Sequence, residues 1–143
     1  MDRLIDEFFI INRKIRLHTG KSLESPNFDI TRDPKCLWGS WNDSERLLTI
    51  SRRLLNHYPW EAVIETLKHE MAHMIVDEIF ELKGAPSHGP DFARACEILG
   101  IDPSASHSHI DKMNISNNEK QILCLKMGHS AIQSSKYRKI LEE

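Results

Sequence analysis

One segment, "TLKHEMAHMIV" (Thr66–Val76), limits the possible structures of this chain more than any other. It belongs to an apolar stripe at helical spacing from Trp60 to about Glu81, which predicts a long and mostly buried helix. His69 and His73 are four residues apart, so both rings leave the same face of that helix. Two imidazoles on a buried helix need partners, because unpaired polar groups are costly to bury.

The histidine spacing suits two nitrogen ligands on one small cation, at about 2.0–2.1 Å for zinc. Glu70 directly follows His69 and is rotated by about 100° around the helix axis, so it flanks a bound metal instead of binding it. A carboxylate in that place can take a proton from the water that attacks a peptide bond, as in an HExxH metallopeptidase. The alternative is a metal-free helical protein in which both histidines are satisfied within the core.

A catalytic zinc also needs a third protein ligand and an open position. His88 is the favoured candidate, because a loop after His73 can turn the chain back and "HGPDF" then begins a second helix. Taken alone, such a histidine is more often an exposed loop or capping residue. The alternatives for the third ligand are Glu97 on the second helix and His107 or His109 in the polar segment beyond it.

The segments upstream of the motif predict an N-terminal helix followed by a small sheet. Apolar residues at helical spacing predict a helix from Asp2 to Leu17, with Gly20 as its stop. Three short segments separated by turn residues then predict a small antiparallel sheet packed on the motif helix. These segments are "NFDIT" (27–31), "CLWGSW" (36–41) and "RLLTIS" (46–51). The fold class predicted is therefore α+β.

The remaining elements are predicted to be helical. "RRLLNHY" indicates a short helix, and Pro59 occupies the expected first turn of the motif helix. A second helix is predicted over Asp91–Leu99, closed by Gly100, and one or two C-terminal helices over 119–142. The expected organisation is one domain over residues 1–110, with a helical extension over 111–143 packed on it or tethered to it.

Composition and charge argue against several classes of protein. The chain has 143 residues and a formal net charge of −2, which indicates no extended surface for nucleic acid or membrane. The N-terminus lacks a signal-peptide pattern, and no apolar run approaches the roughly 18 residues of a membrane span. The cysteines, Cys36, Cys96 and Cys124, are scattered, which fits free thiols in a reducing compartment. We expect a cytoplasmic monomer or weak dimer without membrane association and with at most weak DNA binding.

Two further features have a structural and a functional interpretation. Trp38 and Trp41 are predicted to pack in the core or on the sheet, with stacking on nucleic-acid bases as the alternative. The mildly basic C-terminal segment is predicted to be a solvated helix face, with a partner- or nucleic-acid-binding appendage as the alternative. In a peptidase of this kind, an edge strand beside the motif helix can hold an extended peptide, and we expect that edge within 37–51.

The motifs taken together resemble a known family. "LKHEMAHMIVDEI" followed by "SHGPDFARACEILGI" is similar to the SprT-like domain of SprT/Spartan-type zinc metallopeptidases, and the similarity covers about residues 27–101. It implies a zincin-like fold with Zn²⁺ held by His69, His73 and His88 and with Glu70 as the base. It also implies a protein or peptide substrate, including proteins associated with DNA or crosslinked to it. The competing hypothesis is a non-catalytic, zinc-bound protein- or DNA-binding module.

Overall fold

A computed structural model of the chain describes residues 1–36 and 38–104. The order of elements is α1 (Asp2–Thr19), β1 (Asn27–Thr31), β2 (Gly39–Asn42), β3 (Leu47–Ser51), α2 (Arg52–His57), α3 (Trp60–Met74), a π-helical turn (Ile75–Ile79) and α4 (Pro90–Leu99). This is a small α+β fold with a three-stranded sheet. The predicted C-terminal helices, the domain boundary after residue 110, His107, His109 and Cys124 lie outside the described residues.

The sheet has the order β1-β3-β2, and its strand directions differ in part from the prediction. β2 and β3 are antiparallel, as expected, but β1 is parallel to β3, so the prediction of an all-antiparallel sheet is wrong. The physical reason lies in β3, which is almost wholly buried, with Leu48 and Ile50 fully inaccessible. A strand of this kind takes the central position, where both of its edges are paired. The half-exposed strands β1 and β2 flank it, and the loop between them passes the end of β3.

Helix α3 packs against β2 and contains the HExxH motif. Its buried side chains repeat at helical spacing and pack into the core: Ala62, Val63, Thr66, Leu67, Glu70, Met71, Ala72 and Met74. The helix begins after Pro59, in agreement with the prediction. The predicted uninterrupted helix to about residue 81 is wrong, because α3 ends at Met74 and a wider turn occupies Ile75–Ile79. Such π-helical turns are rare and often occur at functional sites.

The helices on either side of α3 complete the core. α1 buries Leu4, Phe8, Ile11 and Ile15, and Phe8 meets Phe28 of β1 edge to face, with ring centroids 5.3 Å apart. α4 buries Phe92, Ala95, Cys96 and Leu99. Both predicted glycine stops are confirmed, since Gly20 and Gly100 adopt left-handed conformations with φ of 78° and 71°. None of the helices within the described residues has the length and apolar character required to cross a membrane.

Gly39 brings β2 into close contact with both β3 and α3. A Cβ atom at this position would lie 2.8 Å from the carbonyl oxygen of Thr49 and 3.1 Å from Cγ2 of Thr66. The first of these neighbours is backbone of the central strand, which cannot move without disturbing the sheet. A side chain at residue 39 would therefore push β2 away from the helix.

We expect Gly39→Ala to lower the free energy of unfolding by about 1–3 kcal/mol, the usual cost of overpacking. Urea denaturation of the metal-free protein measures this without a contribution from bound metal. The matched control is Ser40→Ala on the same strand, where the side chain is exposed. Equal stability of Gly39→Ala and Ser40→Ala would contradict the close approach.

Candidate metal centre

Three histidines from two parts of the chain meet at one place. His69 and His73 come from α3, and His88 stands directly before Gly89, the residue that caps α4. Each offers a ring nitrogen, and these nitrogens all lie within 4.8 Å of one another. His88 Nε2 is 3.3 Å from His69 Nε2. The predicted return of the chain after α3 thus brings His88 to the first pair.

The spacing of these nitrogens fits a single metal ion. In a tetrahedral zinc site with bonds of about 2.0–2.1 Å, two ligand nitrogens are about 3.3 Å apart, which matches the distance between His69 and His88. Nitrogen pairs that are farther apart would need to close slightly around an ion. Three neutral imidazoles are also a donor set that suits zinc and several other transition metals. The cluster could therefore hold a metal ion.

Phe92 packs against all three histidine rings. Its ring is stacked on that of His73, with centroids 4.5 Å apart and an interplanar angle of 30°, and it meets His69 and His88 edge to face at 5.0 and 4.8 Å. Phe92 itself is only 1% exposed. The first buried residue of α4 thus fixes the positions of side chains from both α3 and the preceding loop. Phe92 was not predicted to belong to the site, although it is part of the "HGPDF" segment.

Burial shapes the protonation of two residues in the site. Desolvation lowers the pKa of His73 to about 4, and the neighbouring His69 and His88 add to this by charge repulsion. His73 is therefore neutral at physiological pH, the state in which imidazole binds metals. Desolvation also raises the pKa of Glu70 to about 7. A carboxyl group whose pKa lies near neutrality can both accept and donate a proton there.

The site opens into a cleft of about 390 Å³ between the sheet and the loop before α4. Its lining residues come from β2 and the turn that follows it, from α3 and the π-helical turn, and from the loop: Gly39, Ser40, Trp41, Asp43, Glu70, His73, Val76, Asp77, Ala85, Pro86 and Ser87. Glu70 lines this cleft and is only 8% exposed, and desolvation is the cause of its raised pKa. It therefore faces the cleft as a nearly buried group that is free to contact a bound molecule.

β2 is an edge strand beside this cleft. It pairs with β3 on one side, and within the described residues its other side has no strand partner. The expected edge strand thus lies within residues 37–51, next to the motif helix. Trp38 is buried at 5% exposure and meets Tyr58 edge to face at 5.2 Å, which agrees with the predicted role in core packing.

Two side-chain bridges between the β2–β3 hairpin and the π-helical turn were not anticipated. Trp41 Nε1 donates to Asp77 Oδ2 at 3.0 Å. Arg46 donates to both carboxylate oxygens of Glu78, at 2.9 and 2.8 Å. These pairs are separated by 36 and 32 residues, and no local spacing in the sequence indicates them.

Three other residues were considered as the third metal ligand in place of His88. Glu97 is exposed on α4 and does not belong to the histidine group. His107 and His109 lie outside the described residues. Among the residues that the structure describes, His88 is the one that joins His69 and His73.

Comparison with known proteins agrees with the motifs. The profile of the SprT-like family matches residues 10–116, which is more than half of the chain and includes the sheet, α3 and α4. No curated protein and no solved structure matches the chain. The resemblance drawn from the HExxH and "HGPDF" segments is thereby confirmed, and the chain belongs to the SprT-like family.

Proposed function

We propose that this protein is a zinc-dependent metallopeptidase that hydrolyses peptide bonds in extended polypeptide segments. The observation that carries the proposal is a cluster of three convergent imidazoles, one of which, His73, lines the same cleft as the nearly buried carboxyl group of Glu70. An imidazole cluster alone would suit a structural metal. The nearby carboxyl group with a pKa of about 7 is the additional feature that hydrolysis requires.

In this proposal His69, His73 and His88 hold the zinc. Zinc, when bound, supplies a Lewis acid that polarises the scissile carbonyl and lowers the pKa of water towards about 7. Three protein ligands leave a fourth position for water or substrate, as in catalytic zinc sites. Phe92 keeps the three rings in place by packing against them, which limits the rearrangement that metal binding needs.

Glu70 is the general base in this proposal. It removes the proton from the attacking water and later transfers it to the nitrogen of the leaving amine. Burial favours the first step, because a carboxylate in an apolar setting binds a proton more strongly than one in water, and a pKa near neutrality still permits the second step. Glu70 follows His69 on α3, so the helix fixes its place relative to the metal ligands.

The substrate is proposed to lie along β2. An unpaired strand edge offers backbone N–H and C=O groups to an extended peptide, which gives binding that depends little on sequence. The cleft beside β2 contains Glu70 and His73, so a peptide paired with this strand would pass the proposed base.

Any association with DNA is proposed to be weak and sensitive to salt, because the net charge of −2 provides little attraction for phosphates.

We expect about one zinc ion per chain, and we expect His88→Ala to lose zinc much as His69→Ala does. Competition against a chromophoric chelator measures both affinities. The loss should exceed the roughly 10–100-fold that removal of a contact outside the ligand shell costs. His57→Ala is the matched control, since His57 is exposed on α2 away from the cluster. If His88→Ala binds zinc as tightly as His57→Ala, the third ligand is another residue.

We expect Glu70→Gln to retain zinc affinity and to lose about 10²–10⁴-fold in the rate of peptide hydrolysis, the usual contribution of a general base. Glutamine has nearly the same shape and helix propensity, so the fold should be unaffected. The assay compares wild type, Glu70→Gln and the control Glu65→Gln, which changes a glutamate of α3 outside the cleft. An unfolded protein serves as substrate, with and without DNA.

Two results would contradict this assignment. Equal cleavage by wild type and Glu70→Gln would remove Glu70 from the mechanism. A wild-type protein that binds zinc but cleaves no substrate, with or without DNA, would favour the non-catalytic binding module.

A further inference from the structure

Strand β2 is attached to the motif helix at two points that lie on either side of the proposed catalytic residues. At one end, Gly39 packs against Thr66 so closely that an added Cβ would be 3.1 Å from its Cγ2. At the other end, Trp41 donates its indole hydrogen to Asp77. Thr66 and Asp77 are 11 residues apart, about three helical turns, and Glu70 and His73 lie between them.

The two attachments differ in character. The contact of Gly39 is steric, and it sets a minimum distance between strand and helix. The Trp41–Asp77 hydrogen bond, at 3.0 Å, is directional and sets the position of the strand along and across the helix. β2 has only four residues and pairs with one neighbour, so its backbone bonds alone leave this position weakly determined.

The π-helical turn contains Asp77, the residue that accepts the hydrogen bond from Trp41. In a regular α-helix, Asp77 would follow His73 by one further turn and share the face of both motif histidines. The chain instead widens at Ile75–Ile79, and Asp77 accepts from Trp41. Among the described residues, the group close enough to share a metal contains the three histidines without Asp77.

The surrounding contacts keep this bond in place. Glu78, the next residue, accepts from Nε and Nη2 of Arg46. Nη1 and Nη2 of the same guanidinium also donate to the carbonyl oxygens of Ser25 and Glu24, each at 3.0 Å. The Arg46 guanidinium lies 5.7 Å from the centre of the Trp41 ring. Burial is the largest influence on the pKa of Asp77 and raises it, whereas the hydrogen bond from Trp41 lowers it and so favours the charged carboxylate.

We propose that Asp77 is a positioning residue for the substrate: through Trp41 it fixes the edge strand β2 relative to Glu70 and His73. This inference rests on the proposed peptidase function, and it concerns how the peptide is aligned in that same cleft. Asp77 touches neither the metal nor the scissile bond. It acts through the strand with which the peptide pairs, so its loss should weaken the binding of long, extended peptides more than the chemical step.

The test compares four variants: Trp41→Phe, Asp77→Ala, the double variant, and Asp77→Asn. Phenylalanine keeps a ring but has no N–H donor, alanine removes the acceptor, and asparagine retains an oxygen that can accept from Trp41. KM and kcat are measured for an extended peptide and for a short substrate that does not reach β2. Zinc affinity and amide hydrogen exchange of residues 39–42 are measured on the same proteins.

We expect Trp41→Phe and Asp77→Ala to raise KM for the extended peptide about 10-fold, since a hydrogen bond to a charged group is worth about one order of magnitude in an equilibrium constant. The double variant should be no worse than either single one, because both remove the same bond. Asp77→Asn should recover most of the loss. Zinc affinity should be retained, the rise in KM should exceed any fall in kcat and should be larger for the extended peptide than for the short substrate, and amide exchange in β2 should accelerate.

Several results would overturn the inference. Unchanged KM and unchanged exchange in Trp41→Phe and Asp77→Ala would show that the bond does not position β2. A fall in kcat and zinc affinity, without rescue by Asp77→Asn, would place Asp77 in the metal site itself.

Failure of the peptidase proposal is recognised separately. If wild type binds zinc but cleaves no substrate, the peptidase proposal fails. The role of Asp77 in positioning β2 is then tested by peptide affinity alone. Titration of the extended peptide into zinc-loaded Glu70→Gln, with and without Asp77→Ala, provides this measurement. Equal affinities would overturn the inference, and a weaker affinity in the Asp77→Ala protein would support it.

Discussion

The structure depends on helix α3, which packs apolar side chains into the core and also carries polar side chains that line a cleft. α3 buries an apolar face in the core and also presents His69, Glu70 and His73 near its end. Water cannot reach these polar groups freely, so their partners have to come from the protein or from a bound ion. The sheet covers one side of the helix and α4 covers another, and the cleft lies between the sheet and the loop that precedes α4. The positions of β2, α4 and the loop before α4 all follow from this requirement.

Much of this arrangement could be predicted from local sequence. The helical spacing of apolar residues predicted α1, α3 and α4. The left-handed conformations of Gly20 and Gly100 confirm two of the predicted helix ends. The HExxH spacing and the helix start at "HGPDF" identified the three histidines that the structure brings together. These predictions succeeded because each rests on neighbours within one or two helical turns, or on a short loop whose return direction is limited by its length.

The features that were missed depend on contacts between distant parts of the chain. An antiparallel sheet was expected, but the most buried strand, β3, lies at the centre, and β1 is its parallel neighbour. The π-helical turn interrupts a periodic apolar pattern, and the pattern alone does not indicate it. The Trp41–Asp77 and Arg46–Glu78 pairs span more than 30 residues, so they exist only once the hairpin has been placed on the helix.

The contact of Phe92 with all three histidines has a thermodynamic consequence. The three clustered nitrogens belong to segments that adjoin only when α4 is docked, and Phe92 of α4 contacts the ring of each histidine. An ion that binds the assembled site therefore stabilises the docked helix by mass action, by about 2.7 kcal/mol at a free concentration 100 times its Kd. The free concentration of such an ion would thus become a variable in the conformational equilibrium of α4, and a chain without a bound ion would sample undocked states more often.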